Sequence, residues 1–428
     1  MSSSRFEPGR AYAEDLDVRD ELAAFRACFR VPPGTIYLDG NSLGLLSQDA
    51  ENAVLMVLEQ WKTQAIEGWT EAQPDWFTLA ERLGAQTAAL VGADHDEVIV
   101  ANSTTVNQHQ LLSTLFDPGA ANRVILADEL NFASDIYALE SHLRLRGLDP
   151  ATALRLVGSR DGVTLAEDDL IAAMTPDVQI ALFPSVLYRS GQLLDMHRLT
   201  AEAHRRGILI GFDCSHSIGA VPHALSAWGV DFAYWCSYKY LNGGPGAAAG
   251  LYLNRRHFGR VPGMLGWFGH KKETQFRLDL AFEPAEGAGA LQIGTPNILS
   301  MAALSGSLPL FAVAGMETLR TKSLALTDYL MGLIDHELSG FGVEIVTPRA
   351  HAQRGGHVAL RHPAARALGT ALRAEGVVPD FRPPDILRLA PAPFYVRFSD
   401  CYDAVERIRA LLVSRSYETH LGKGGVVT

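Results

Sequence analysis

The chain has 428 residues, 47% hydrophobic and 20% charged, with 37 basic and 48 acidic side chains and a formal net charge of −11. So much apolar material excludes a disordered chain and suits two domains, or one large domain with an appendage. The acidic balance excludes non-specific nucleic-acid binding, which needs cations against phosphate. The four cysteines, Cys28, Cys214, Cys236 and Cys401, are too few and too scattered for a disulfide scaffold or a C-x-x-C pair. With a polar start over 1–10 and no run of ~18 apolar residues, a cytoplasmic protein without membrane contact is expected.

In chain order, Val54, Leu55, Leu58 and Trp61 mark one helical face, and Leu79, Leu83 and Leu90 another. From about residue 95, short apolar runs at 97–100, 123–126, 178–182, 208–212, 232–235 and 250–253 read as strands. Segments of helical spacing lie between most of them, such as Ile136, Leu139 and Leu143, and the stretch 196–206. Strands alternating with helices predict an α/β fold with a large, mainly parallel sheet, binding its ligand beyond the carboxyl ends of the strands. After residue 300 the rhythm changes. Met316, Leu319, Leu326, Leu330 and Leu333 mark a long helix ended by Gly340 and Gly342. Strand-like 343–346 and 357–360, a helix after Pro363, a strand at 386–389 and a helix through Tyr402, Val405, Ile408 and Leu412 predict a smaller α+β domain. The expected division is an N-terminal segment 1–49 packing with the small domain, a large domain 50–300 and the small domain 301–428. The ends, 1–10 and 420–428, are expected to fray.

No G-x-x-x-x-G-K-[ST] loop, H-E-x-x-H helix or G-x-S-x-G elbow is present. The glycines at 244, 246 and 250 run into a strand rather than opening a helix, against a dinucleotide loop. Asp213 directly follows an apolar strand, where it can serve a ligand or cap a turn. Twenty-six residues on, Lys239 sits between Tyr238 and Tyr240 ahead of Asn242-Gly243-Gly244, as a snorkelling surface lysine or as a buried amine. Together the two suggest more. A buried lysine can form a Schiff base with an aldehyde cofactor, and pyridoxal phosphate needs a carboxylate against its ring nitrogen. Asn102-Ser103-Thr104-Thr105, between a strand and a helix, offers donors suited equally to a helix cap and to a phosphate. Phe132, in Asn131-Phe132-Ala133-Ser134-Asp135, can stack on a pyridine ring or fill the core.

The stretch 228–242, with Cys236-Ser237-Tyr238-Lys239-Tyr240-Leu241-Asn242, resembles the kynureninases, pyridoxal-phosphate enzymes of aspartate-aminotransferase-like fold (fold type I). Gly266-Trp267-Phe268-Gly269-His270, Leu38-Asp39-Gly40-Asn41-Ser42-Leu43-Gly44, 132–135 and 211–216 are similar as well, so the resemblance runs from about residue 36 to beyond 390. It implies hydrolysis of L-kynurenine to anthranilate and L-alanine in tryptophan catabolism, with 3-hydroxykynurenine as a second substrate. It implies that Lys239 carries the cofactor, Asp213 pairs with the pyridine nitrogen, His216 supports that side, and Phe132 stacks with Ala133, Ser134 and Asp135 close by. The resemblance implies that Thr104, Thr105 and Tyr238 hold the phosphate, joined by Trp267 and Thr295 from the neighbouring subunit of a homodimer. It also implies that Arg388 grips the substrate carboxylate, with Ser42 nearby, though Arg388 could instead form an ordinary strand-edge salt bridge, and Tyr238 is the candidate for proton transfers at the substrate carbonyl. Trp69 and Thr295 resemble the bacterial type, whose apolar wall suits an unhydroxylated ring; Trp69 is alternatively a core anchor for the 50–66 helix. No metal is implied. Two other readings stand beside this one: a desulfurase or selenocysteine lyase of the same fold, which needs a thiol on a mobile loop, and a cofactor-free scaffold or regulator.

Overall fold

The apolar runs between residues 98 and 253 pair into one seven-stranded sheet. The computed structural model describes residues 6–422, so the expected fraying of 1–5 and 423–428 lies outside the described residues. Among the described residues, thirteen strands are numbered in chain order. The large sheet holds β2 (Val98–Val100), β3 (Val124–Asp128), β4 (Leu154–Val157), β5 (Val178–Pro184), β6 (Leu209–Asp213), β7 (Phe232–Trp235) and β8 (Gly250–Leu253). Their order is β2-β8-β7-β6-β5-β3-β4. β4, β3, β5, β6 and β7 run parallel, and β8 is antiparallel to both β7 and β2. The carboxyl ends of β2, β3, β5, β6 and β7 therefore share one edge. β3, β5 and β7 are buried along their whole length, as a sheet covered on both faces requires.

Polar residues set the helix limits around this sheet. Ser47 caps helix Gln48–Gln64, its Oγ accepting the Ala50 N–H at 3.0 Å, with Asp49 and Glu51 in the first turn complementing the helix dipole. Asp195 caps Met196–Arg205 in the same way at 2.9 Å. The predicted face of helix Gln48–Gln64 needs correction. Its buried residues are Ala50, Ala53, Val57 and Gln60, whereas Leu55, Leu58 and Trp61 are exposed. The reason is close packing: Gly306 of helix Ile298–Ala314 lies directly against the backbone of Asp49, which only small residues on the facing side allow.

The C-terminal part forms an antiparallel sheet of order β12-β13-β10-β9, from β9 (Glu344–Ile345), β10 (Val358–Arg361), β12 (Asp380–Arg382) and β13 (Ile386–Leu389). It lies with helices Met316–Glu337, Ala365–Ala374 and Phe398–Ser414. The N-terminal segment is tied to it: β1 (Ile36–Tyr37) pairs with β11 (Val377–Val378). Asp17 accepts the N–H groups of Phe398 and Ser399 at the start of the last helix, and Asp20 forms a buried ion pair with Lys322 at 2.6 Å. The boundary expected at residue 300 falls within helix Ile298–Ala314, which packs on helix Gln48–Gln64. Among the described residues no single helix is long and apolar enough to cross a membrane.

Candidate active site

Connections following β2, β3, β5, β6 and β7 enclose a cavity of about 290 Å³ at the carboxyl edge of the large sheet. Lys239 stands in the turn after β7, its Nζ 2.9 Å from Nε2 of His216, which follows β6. Burial, and then the positive charge of Lys239, holds the His216 imidazole well below its usual pKa, so the ring is neutral. Asp213 ends β6, and its Oδ1 accepts the N–H of Ser215 at 2.8 Å. Asp135 is buried beside it. Burial and then the Asp213 charge push the Asp135 carboxyl well above the usual range, which favours a proton there. The neighbouring Cys236 thiol and burial likewise push the Tyr238 phenol up, keeping it protonated.

The opposite wall is built for an anion. Helices Thr104–Leu115 and Ala133–Leu145 both start at the cavity, and neither N-cap, Ser103 or Phe132, spends a side chain on capping. The first-turn N–H groups of Thr104, Thr105, Ala133 and Ser134 and the hydroxyls of Thr104, Thr105 and Ser134 thus face a phosphate, whereas the Asp135 N–H donates to the Phe132 carbonyl at 2.9 Å; Thr105 Oγ1 and Ser134 Oγ are joined at 3.0 Å. Ala133 contributes backbone at the same helix start. Phe132 is 46% exposed and meets Tyr188 edge-on, the ring centres 5.4 Å apart.

Arg388 lies fully buried on β13, its Nη1 donating to the carbonyl of Tyr188 at 2.6 Å and its Nη2 to Ser42 Oγ at 3.1 Å. It therefore adjoins the cavity through Tyr188, which lines it. Three expected residues are not brought to this cavity within the chain. Trp69 lines a separate groove of about 530 Å³ with Trp61, Trp76 and Ile298. Trp267 packs edge-on against Phe268, which Trp69 also touches, and donates from Nε1 to Thr295 Oγ1 at 3.1 Å. The structure thus groups Trp69, Trp267 and Thr295 on another face, where Trp61 and Trp267 are exposed.

Sequence reasoning missed Tyr188, Arg382 and Asp380. Tyr188 follows the carboxyl end of β5, a position that could have flagged it; the other two lie on a short strand without apolar alternation. Of the cysteines, Cys214, Cys236 and Cys401 are buried and Cys28 is half-buried in the N-terminal segment, so none among them is an exposed loop thiol.

The residues present fit pyridoxal phosphate. The cavity joins a lysine amine, a carboxylate at a strand end, an aromatic wall and two uncapped helix starts. Asp135 Oδ2 and His216 Nδ1 are buried there without hydrogen-bond partners.

Comparison with known proteins places this geometry. A family model described as the kynureninase C-terminal domain matches residues 319–408. The kynureninase of Geobacillus thermodenitrificans is 52% identical over 427 residues, covering 100% of both chains. That of Bacillus anthracis is equally similar, 52% over 427 residues with 100% of each chain covered. Among solved structures, the apo cysteine desulfurase from Thermococcus onnurineus NA1 superposes with a TM-score of 0.75 over 97% of this chain and 100% of that one. Its 15% sequence identity shows a shared fold alone. The fold is thus the fold type I architecture expected from the sequence.

Proposed function

The chain belongs to the kynureninase family, and on that premise we propose that it hydrolyses L-kynurenine to anthranilate and L-alanine, with pyridoxal phosphate held in the Lys239 cavity. The observation that carries this reading is the placement of Lys239 and Asp213 after adjacent parallel strands, facing two uncapped helix N-termini. When bound, the cofactor supplies an electron sink for charge developing at the substrate Cα. Lys239 would anchor it, and the Lys239 amine would move the substrate α-proton. Neutral His216, 2.9 Å away, orients that amine. Asp213 would hold a proton on the ring nitrogen. A protonated Asp135 adds no second negative charge beside it. Phe132 would stack on the ring, and Thr104, Thr105, Ala133, Ser134 and Tyr238 would bind the phosphate. Tyr238, kept protonated, gives a proton to the γ-carbonyl oxygen and recovers one from the attacking water as the diol forms; when the Cβ–Cγ bond then breaks, the diol gives up a hydroxyl proton and a proton is returned at Cβ. Arg388 and Ser42 hold the α-carboxylate.

The same reading assigns Trp69, Trp267 and Thr295 to the site of a second subunit in a homodimer, supported by their separation from the chain's own cavity and by the exposed Leu55, Leu58 and Trp61. It keeps three parts, an N-terminal segment 1–49, a large domain and a small C-terminal domain, with the division expected at 300/301 moved to the end of helix Ile298–Ala314 and the first segment tied to the last through β1 and Asp17. Four free cysteines accord with the reducing cytoplasm. An apolar wall at Trp69 and a short hydroxyl at Thr295 favour kynurenine over its 3-hydroxy form; joint Trp69→His and Thr295→Asn substitution is expected to move the kcat/KM ratio toward the hydroxylated substrate.

The test of the reaction is direct. The purified protein shows a near-visible cofactor band that borohydride fixes onto Lys239, located by peptide mass spectrometry, and it releases fluorescent anthranilate from L-kynurenine. Full turnover by Lys239→Ala would overturn the proposal.

A further inference from the structure

Two guanidinium groups, rather than one, converge beside the cavity. On paired strands β12 and β13, Asp380 stands opposite Arg388, and Arg382 opposite Ile386. The fully buried Asp380 receives Nε of Arg388 at 2.5 Å and Nε of Arg382 at 2.9 Å on the same oxygen, Oδ2. Each arginine then turns Nη2 to one point: Ser42 Oγ accepts from Arg388 at 3.1 Å and from Arg382 at 3.4 Å.

The bonds of Arg388 limit what it can do alone. Its side-on fork, Nε with Nη2, is occupied by Asp380, and its Nη1 already donates to the Tyr188 carbonyl. A carboxylate reaching Arg388 must approach the Nη1–Nη2 end, where Ser42 Oγ now sits, and that position also faces Nη2 of Arg382. Two cations donating to a neutral hydroxyl oxygen are better satisfied by an anion there, because a charge-assisted hydrogen bond is roughly twice as strong as a neutral one. Arg382 is near enough to the cavity for its charge to act on Tyr238 and His216, and its side chain is 21% exposed, so a ligand can reach it.

We propose that Arg382 is a second binding residue for the substrate α-carboxylate, shared with Arg388 and Ser42, and that Asp380 is the positioning residue that aims both guanidinium groups. This rests on the reading of the site as one for an α-amino acid. In it, one carboxylate oxygen meets Arg388 and the other meets Arg382, with Ser42 moving aside or bridging.

The test compares ligands that differ only in the anion. For the holoenzyme, KM is measured on L-kynurenine and on its α-carboxamide, in wild type, Arg382→Gln, Arg382→Lys and Asp380→Asn. Arg382→Gln is expected to raise KM for L-kynurenine about tenfold or more, the weight of one charge-assisted bond. Its kcat and its KM for the carboxamide should stay near wild type. Arg382→Lys, which keeps the charge and is the safer variant for folding, should recover part of the loss. Asp380→Asn should raise KM for the carboxylate ligand selectively. Equal losses on both ligands, or none, would overturn the proposal. Binding of L-alanine and L-alaninamide, read from the cofactor absorbance, gives the same comparison without turnover. A wild type that fails on L-kynurenine but loses its preference for alanine over alaninamide on Arg382→Gln would thus sink the reaction and not the carboxylate site.

Discussion

Lys239 Nζ and His216 Nε2 lie 2.9 Å apart, and burial together with nearby cations opposes protonation of the His216 ring. Burial acts first, followed by the positive charges of Lys239 and Arg388, with His357 and Arg382 beyond them. With the ring neutral, Nε2 accepts from the Lys239 amine, which assigns the ring proton to Nδ1. The expected outcome is a His216 Cε1 resonance that does not move between about pH 5.5 and 8.5, outside the range of an ordinary histidine near ~6.5. Carbon-13-labelled histidine, with the signal assigned by its loss in His216→Phe, makes the measurement. Titration near pH 6.5 would show that the ring is not enclosed in this way.

Gly44 connects the N-terminal segment to the same turn. Its N–H donates to the Tyr238 carbonyl at 2.8 Å, and its Cα is so close to the Lys239 carbonyl and Asn242 that a β-carbon would collide with backbone. Gly44→Ala must therefore push the Lys239 turn away. Overpacking of this kind costs about 1–3 kcal/mol. Both a lower Tm and a weaker hold on the cofactor, measured by dialysis and absorbance, are expected. A variant with lower Tm but unchanged cofactor retention would mean that the turn does not feel residue 44.

How much of this could be read from the sequence varied with the physics. Asp213 and Lys239 were legible because a strand end is a local signal and the chemistry needs both residue types. The helix Ile298–Ala314 was not, because it is apolar all round and has no period to detect. Leu55, Leu58 and Trp61 were assigned to a buried face on hydrophobicity. Closeness to Gly306 decided otherwise, selecting Ala50 and Ala53 for size. β12, three residues long with two of them charged, offered no alternation, so Asp380 and Arg382 became visible only through their pairing with β13.

The grouping of Trp267 and Thr295 away from the Lys239 cavity leads to a subunit-mixing experiment. If they complete a partner's site, Lys239→Ala and Trp267→Ala homodimers each lack every intact site. Mixed dimers regain one. Random reassortment of equal amounts should recover about a quarter of wild-type activity, since half the dimers are mixed and half their sites are whole. No recovery after confirmed exchange would place Trp267 in its own chain's site or outside the site altogether.

Asp128 offers a prediction about stability rather than catalysis. It ends β3 in full burial, with Oδ1 accepting the Leu130 N–H at 2.9 Å and Oδ2 without a partner. Burial pushes its carboxyl up to about 7. An unfolded aspartate titrates near ~3.9, so the folded state binds the proton more tightly and the neutral form favours folding. The contribution is intact below about pH 4 and is lost progressively as pH rises through 7, at about 1.4 kcal/mol per unit. Asp128→Asn has no charge to bury, and whatever it costs to pair the new amide does not depend on pH. The Tm of the variant relative to wild type should therefore climb between pH 4.5 and 7 and level off above. Melting curves at matched ionic strength and saturating cofactor measure this; a gap that stays constant with pH would show that Asp128 is ionised in the folded protein at no cost.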